Sequence, residues 1–217
     1  MAIPVLIMGK SGTGKSTSLR NMPASDVALV NVQGKPLPFR GKLDSYQTKD
    51  FGKITSVVSK TKRRAVVVDD FGYAITDYYT RHSLGKERDY DQFEVYKSIA
   101  AYVYNFVDAI QRDKDENKIV YFIMHSDTDN YGSIQPATVG KLLNEKISIV
   151  GMVTICIIST ITENGEYKFV VNGTPPAKSP LGMFEGDEVD NDLFAVDAAI
   201  RNYWGLEPLA GNENGEK

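Results

Sequence analysis

Residues 3–20 read IPVLIMGKSGTGKSTSLR, and this stretch decides the fold. Its apolar start, residues 3–8, predicts a buried strand; a glycine-rich turn follows, and then a segment that predicts a helix ending near residues 21–23. The pattern G-x-x-x-x-G-K-S is supplied by Gly9, Gly14, Lys15 and Ser16. Successive backbone N–H groups can curl round a polyphosphate only where glycine allows a positive φ or leaves room for close approach. The stretch therefore predicts a phosphate-binding loop, or P-loop, between a strand and a helix.

The residue types in this loop fit ATP and Mg²⁺ as cofactors. Lys15 provides a cation for the outer phosphates, and the Ser16 hydroxyl is placed to ligate magnesium. The helix that follows would point the positive end of its dipole at the same anion. We expect the following residues to surround the phosphates: Gly9, Lys10, Ser11, Gly12, Thr13, Gly14, Lys15, Ser16 and Thr17. A chance Gly/Ser-rich turn is the alternative, but few such turns also lie between a buried strand and a helix.

The length and composition predict one large intracellular domain. The chain has 217 residues, of which 42% are hydrophobic, and we expect the domain to span residues 1–210, with 211–217 as a flexible tail. The single cysteine, Cys156, lies in the apolar run MVTICII and predicts a reduced, packed thiol. The sequence shows no signal-type core and no apolar stretch of about 20 residues, which predicts a cytoplasmic protein without a membrane segment.

The net charge of −3 provides no global basic field for nucleic acid or membrane, yet the charge is unevenly distributed. Residues 40–64 contain eight basic and two acidic residues, whereas residues 183–217 contain nine acidic and two basic ones. Such polarity would steer an anionic polymer, or would pair the acidic end of one subunit with the basic face of another. An ordinary solvated surface is an equally good interpretation.

The rest of the chain alternates between strand and helix patterns. Strands are predicted at residues 26–34, 64–70, 118–126 and 152–160, and helices at 48–62, 71–84, 91–111 and 191–205. Asn164-Gly165 predicts a type I′ turn and hence a late hairpin. This order predicts an α/β fold with a mostly parallel central sheet flanked by helices and the hairpin at one edge. Ligands of such sheets bind at the carboxyl ends of the strands.

Polar side chains follow two of the predicted strands. Asp69 ends the strand 64–70, where a Walker B carboxylate holds magnesium through water. Asp70 either orients or deprotonates the attacking water, or it caps the next helix. His125 ends the strand that begins at residue 118, where a neutral imidazole would sense the γ-phosphate.

Four segments together resemble the phage-encoded RecA-like ATPases that are often described as AAA-domain nucleotide-binding proteins. They are GKSGTGKSTSLRN, RAVVVDDFGY, KIVYFIMHSD and the late TPPAKSPLGMFE followed by NDLFAVDAAIRNYWG. The resemblance covers nearly the whole chain and implies a RecA-type core, a P-loop NTPase that hydrolyses ATP. It also implies a role in phage DNA recombination or replication in the host cytoplasm. The implied partners are single-stranded DNA, further copies of the chain in a hexamer or filament, and a phage annealing or single-strand-binding protein.

The resemblance implies roles for residues outside the P-loop. The catalytic glutamate of RecA-type enzymes falls near Gln33, which orients water but cannot accept its proton. Lys178, in PPAKSPLG, matches the cation that RecA-like enzymes insert into a neighbouring subunit's site. The loop 127–141 lies where RecA-type proteins place a DNA loop, with Tyr131 for base stacking and Lys141 for a phosphate.

Two other functions fit the same motifs. Nucleotide-type kinases use the P-loop for phosphotransfer, although the cationic cluster at residues 81–88 is not in the late position of a kinase lid. An ATP-dependent switch with little turnover is the second alternative, since Gln33 stands where a catalytic glutamate is expected.

Overall fold

A central sheet, most of whose strands are parallel, runs through the computed structural model. The structure describes residues 1–41, 43–84, 91–139, 143 and 147–211. Its strands are β1 (Ile3–Gly9), β2 (Val27–Asn31), β3 (Ser45–Tyr46), β4 (Ala65–Asp69), β5 (Ile119–Thr128), β6 (Ile134–Pro136), β7 (Ile155–Ile161), β8 (Tyr167–Val170) and β9 (Glu188–Asp190). Its α-helices are α1 (Phe51–Lys60), α2 (Gly72–Tyr79), α3 (Gln92–Gln111) and α4 (Leu193–Trp204). The predicted α/β class is confirmed.

The strand order is β3-β2-β4-β5-β1-β7-β8-β9, with β6 paired to the end of β5. The six neighbouring strands β3, β2, β4, β5, β1 and β7 pair in parallel. Strands β8, β9 and β6 pair antiparallel with their neighbours. The central position of β1, between β5 and β7, places the loop that follows it at the middle of the sheet edge. The predicted late hairpin is the pair β7–β8, and β9 lies beyond it.

Alternate residues of the buried strands pack on opposite faces of the sheet, as the period of two requires. On one face Leu6 and Phe122 pack with Ile75 and Phe106 from the helices α2 and α3. On the other face Ile7 and Tyr121 share a core with Leu19 of the 3₁₀ segment and Ile200 of α4. The continuous apolar runs of β1, β4 and β5 therefore reflect burial on both faces.

Two local predictions are wrong. The segment after the glycine-rich loop forms a 3₁₀ turn, Thr17–Asn21, rather than an α-helix. Only a few residues separate the loop from Pro23, which disfavours a helical conformation at Met22 and so prevents elongation. In the β7–β8 turn only Gly165 has a positive φ, of 81°, so this is not the predicted type I′ turn, in which both central residues have positive φ.

Three further expectations concern the cysteine, the membrane and the tail. Cys156 is a free, buried thiol, and burial raises its pKa to about 12. None of the helices in the described ranges is both long and apolar enough to cross a bilayer. The predicted tail lies outside the described residues, except for residue 211.

A buried charge network ties α4 to the sheet. Arg201 is 1% exposed and bonds the carboxylate of Asp197, which also accepts a hydrogen bond of 2.7 Å from the Tyr121 hydroxyl. Burial raises the pKa of Asp197, and the neighbouring Arg201 opposes that shift. The guanidinium also donates to the carbonyl oxygens of Asn117, Glu207 and Arg64, so each of its three nitrogen atoms has a hydrogen-bond acceptor.

Replacing Arg201 by alanine should lower the free energy of unfolding by about 3–5 kcal/mol, because the substitution leaves Asp197 buried without its counter-ion. The matched control is Arg112→Ala, which removes the exposed partner of Asp108 at the same i,i+4 spacing and should change stability very little. Chemical denaturation of both variants measures the difference. Equal losses would show that the buried network does not stabilise the docking of α4.

Candidate functional site

A cavity of about 310 Å³ lies at the carboxyl ends of the parallel strands, beside the glycine-rich loop. Its walls combine the loop with polar ends of β2, β4 and β5 and with the segment 35–38. The lining residues are Ser11, Gly12, Gly14, Lys15, Ser16, Thr17, Asn31, Lys35, Pro36, Leu37, Pro38, Asp69, Asp70, Tyr73, His125 and Tyr167. The structure thus brings together the loop, both acidic residues and the histidine that the sequence singled out.

The loop has the glycines that its path requires. A Cβ on Gly9 would lie 2.4 Å from the carbonyl oxygen of Ser159, so β1 and β7 leave no room for a side chain there. Gly14 has a φ of +92°, and a Cβ would lie 2.9 Å from both Asn191 and Tyr167. The Ser159 hydroxyl donates a 2.6 Å hydrogen bond to the Thr13 carbonyl and thereby fastens the loop to β7.

The ammonium of Lys15 lies inside this loop. It donates to the carbonyl oxygens of Gly9 and Lys10 over 2.8 and 2.7 Å, and the residue is only 6% exposed. Burial lowers the pKa of Lys15, while Asp70 and Asp69 act in the opposite direction. The loop therefore presents a partly desolvated cation to the cavity, where attraction to an anion is stronger than in water.

Asp69 and Ser16 form the part of the site that fits a magnesium ion. Asp69 is buried at the end of β4 beside the Ser16 side chain, and its Oδ1 atom has no hydrogen-bond partner. Burial raises the pKa of this carboxyl. Within the described residues no group of three or more His, Cys, Asp or Glu side chains is placed to hold a metal. Magnesium bound by a hydroxyl, water and phosphate oxygens needs no such group.

Asp70 points into the cavity from a strained backbone. Its φ is 61°, which is uncommon for a residue with a side chain, and helix α2 has no side-chain cap. The carboxylate instead lies 3.0 Å from Lys35 Nζ and 3.5 Å from His125 Nε2. Burial alone would raise the pKa of Asp70, but hydrogen bonds from His125 and Lys35 outweigh it and lower the pKa. Of the two predicted roles, helix capping is therefore not what the carboxylate does.

Of the predicted residues outside the loop, three lie away from the cavity and one is not among the described residues. Gln33 and Lys178 are not among the described residues that line the cavity. The end of β2 presents Asn31 instead of Gln33, and Lys178 pairs with Cys156 through two backbone hydrogen bonds of 2.9 Å. Tyr131 is 94% exposed at the tip of the β5–β6 hairpin, and Lys141 lies outside the described residues.

Sequence reasoning missed Asn31, Lys35, Tyr73 and Tyr167. Asn31 ends a strand, as Asp69 does, and the same rule about carboxyl ends would have identified it. Lys35 follows a glycine and precedes Pro36, and nothing local indicates that this segment folds over the cavity. Tyr167 reaches the loop from the late hairpin, so only the tertiary fold reveals it.

A second groove, of about 500 Å³, adjoins the cavity. Thr17 and Tyr167 line both spaces, so the two lie next to each other. The other residues that line the groove are Arg20, Asp190, Asn191, Asp192 and Ala195. A ligand with phosphates at the loop has room here for a larger polar group.

The unpaired oxygen of Asp69 gives a prediction about stability. Since burial raises the pKa of Asp69, the ionised carboxylate destabilises the fold, and wild-type stability should fall as pH rises through the raised pKa. Asp69→Asn should therefore raise the free energy of unfolding at neutral pH without magnesium, because the amide is not charged. The gain should shrink in more acidic buffer, where the wild-type carboxyl is protonated.

Denaturation curves with and without Mg·ATP measure this effect, and Asp44→Asn, an exposed acid, is the control. Magnesium with ATP should stabilise the wild type and not Asp69→Asn. A loss of stability in Asp69→Asn at neutral pH would contradict this account of the carboxylate.

Comparison with protein-family models finds no match for this chain. Comparison with curated proteins likewise finds no significant similarity. The function is therefore inferred from the side chains that meet at the cavity.

Proposed function

We propose that this protein is a P-loop NTPase of the RecA-like type that binds Mg·ATP and hydrolyses it to ADP and phosphate. The observation that carries the proposal is the convergence of Lys15, Ser16 and Asp69 on one cavity beside a glycine-rich loop. The loop supplies backbone donors and a buried cation for phosphates, and the neighbouring strand supplies a carboxylate for magnesium. The adjoining groove, with Tyr167 and Asp190, would take the nucleoside, because aromatic rings stack on bases and carboxylates accept hydrogen bonds from ribose hydroxyls.

Hydrolysis would proceed by attack of a water oxygen on the outermost phosphorus. The bond from that phosphorus to the bridging oxygen breaks, ADP keeps the electron pair, and the water proton passes to Asp70 or to the phosphate formed. Bound magnesium would neutralise charge on the phosphates as it develops. In the protein without nucleotide, hydrogen bonds from His125 and Lys35 lower the pKa of Asp70 and make it a weak base, which is better suited to orienting water than to removing a proton completely. We therefore expect slow turnover, so that the protein would behave much like the ATP-dependent switch named above as an alternative function.

Lys15→Ala tests the proposal. The substitution removes the cation inside the loop and should weaken Mg·ATP binding roughly 10- to 150-fold, the usual effect of losing a hydrogen bond to a charged group. Lys60→Ala is the control, since this lysine lies on the surface of α1 and does not line the cavity. Calorimetric titration gives the affinities, and phosphate release gives the turnover.

Three results would count against this function. Equal affinity of wild type and Lys15→Ala for Mg·ATP would remove the phosphate site from the loop. Phosphate transfer to an added nucleoside, without release in water, would identify a kinase. Tight binding of tripolyphosphate equal to that of ATP would show that the groove does not take a nucleoside.

A role with single-stranded DNA extends the proposal. The β5–β6 hairpin continues directly from the cavity, since His125 lines the cavity and Ser126 pairs with Pro136. At its tip Tyr131 exposes nearly the whole ring, as base stacking requires. Self-association in a hexamer or filament and an annealing or single-strand-binding partner belong to the same proposal, which rests on the sequence resemblance.

Tyr131→Ala should weaken binding of a labelled oligonucleotide roughly five- to a hundred-fold, because stacking contributes about 1–3 kcal/mol per base. Tyr104→Ala, which removes an exposed tyrosine from α3, is the control. Titrations at two salt concentrations with ATP present should also show affinity falling as salt rises. If both variants bind like the wild type, the hairpin does not contact bases.

A further inference from the structure

The segment that follows β2 folds over the cavity and is held there by one side chain. Asn31 is buried, its amide donates to the Lys35 carbonyl over 2.7 Å, and its Oδ1 accepts from Gly34 N over 2.8 Å. Gly34 has a φ of +67°, and Pro36 restricts the backbone of Lys35 to extended conformations. The backbone of Lys35 is therefore fixed at the rim of the cavity.

The side chain of Lys35, in contrast, is 58% exposed and has two partners that face the cavity. Its ammonium lies 3.0 Å from Asp70 Oδ2 and 5.0 Å from the centre of the Tyr73 ring. It is also close enough to Lys15 and Asp69 to interact electrostatically with both. Lys15 and Lys35 are the two lysines among the described lining residues, which include no arginine.

We propose that Lys35 is a catalytic residue that supplies, from the same chain, the second cation for the outermost phosphate. This inference rests on the proposed function. In the bound state the Lys35 ammonium leaves Asp70 and donates to a non-bridging oxygen of the terminal phosphate. There it neutralises the charge that develops as the bridging bond breaks, and Asp70 becomes available to the attacking water.

The exchange of partners is physically reasonable. A partly exposed lysine–carboxylate pair contributes at most about 1 kcal/mol, so a multiply charged phosphate competes for the cation. Lysine carries its charge on a flexible stem that can shift between partners while the backbone stays in place. The Tyr73 ring provides a further favourable position for the cation near the site.

This assignment differs from the cation expected from a neighbouring subunit. Lys178 is fixed by its backbone beside Cys156, and it does not line the cavity of its own chain. Lys35, in contrast, lines the cavity of its own chain and needs no second subunit to reach it. Turnover per subunit should therefore not depend on protein concentration.

The test compares Lys35→Ala with Lys35→Arg, and Lys60→Ala, an exposed lysine of α1, is the control. Lys35→Ala should reduce turnover roughly 10²–10³-fold, as the loss of one donor to a developing charge does. It should weaken binding of ATP and leave ADP binding unchanged, because ADP lacks the outermost phosphate. Lys35→Arg should restore a large part of the turnover, and thermal melting should show all variants folded.

Each outcome has a distinct meaning. Normal turnover in Lys35→Ala, or equal weakening of ATP and ADP, would overturn the assignment, since Lys35 would then only shape the rim. Turnover per subunit that rises with protein concentration in the wild type would also overturn it and favour a cation from another subunit. If the wild type binds neither nucleotide, the proposed function itself fails, and the role of Lys35 fails with it.

Discussion

The absence of space beside Gly9 determines how the loop after β1 runs. Strands β5 and β7 pair with β1 on its two sides, and Gly9 is level with His125 of β5. A side chain at Gly9 would collide with the backbone of Ser159, so only glycine lets the chain turn at this point. From that turn the loop returns over its own carbonyl groups, which is why the Lys15 ammonium can be buried among them. Asp70, Asp69 and Lys35 all lie close enough to this buried cation to interact with it electrostatically.

Positive and negative charges around the cavity nearly balance, but the two carboxylates lie in different environments. Two lysines, Lys15 and Lys35, face the carboxylates of Asp69 and Asp70. Asp70 is well satisfied and has a lowered pKa, whereas Asp69 keeps one unpaired buried oxygen and has a raised pKa. Buried polar atoms without partners destabilise a fold, and they are found where a ligand or ion completes the set. The two adjacent aspartates thus have opposite environments, which fits one of them for a cation and the other for water.

Much of the fold was predictable because burial on both faces leaves a clear pattern. The runs at β1, β4 and β5 were predicted as strands within a few residues, and the helices predicted at 91–111 and 191–205 correspond to α3 and α4. Asp69 and His125 were found by the rule that ligands meet the carboxyl ends of parallel strands. The strand β2 was predicted to end at residue 34, whereas it ends at Asn31, which pairs with Asp69. Lys35 and Tyr167 depend on contacts between distant segments, which no local pattern records.

The strand β5 connects the cavity to the surface that we propose for DNA. Residues 119–124 are buried, whereas the strand leaves the core at His125 and continues into the exposed hairpin. The carbonyl oxygen of His125 accepts a 2.8 Å hydrogen bond from Ala137 N, so the returning strand is anchored at the residue whose ring faces Asp70. His125 therefore links the two regions, because its ring lies beside Asp70 while its backbone holds the base of the hairpin. The buried part of β5 is paired with β1 and β4, so the sheet fixes the position of this residue at the edge of the cavity.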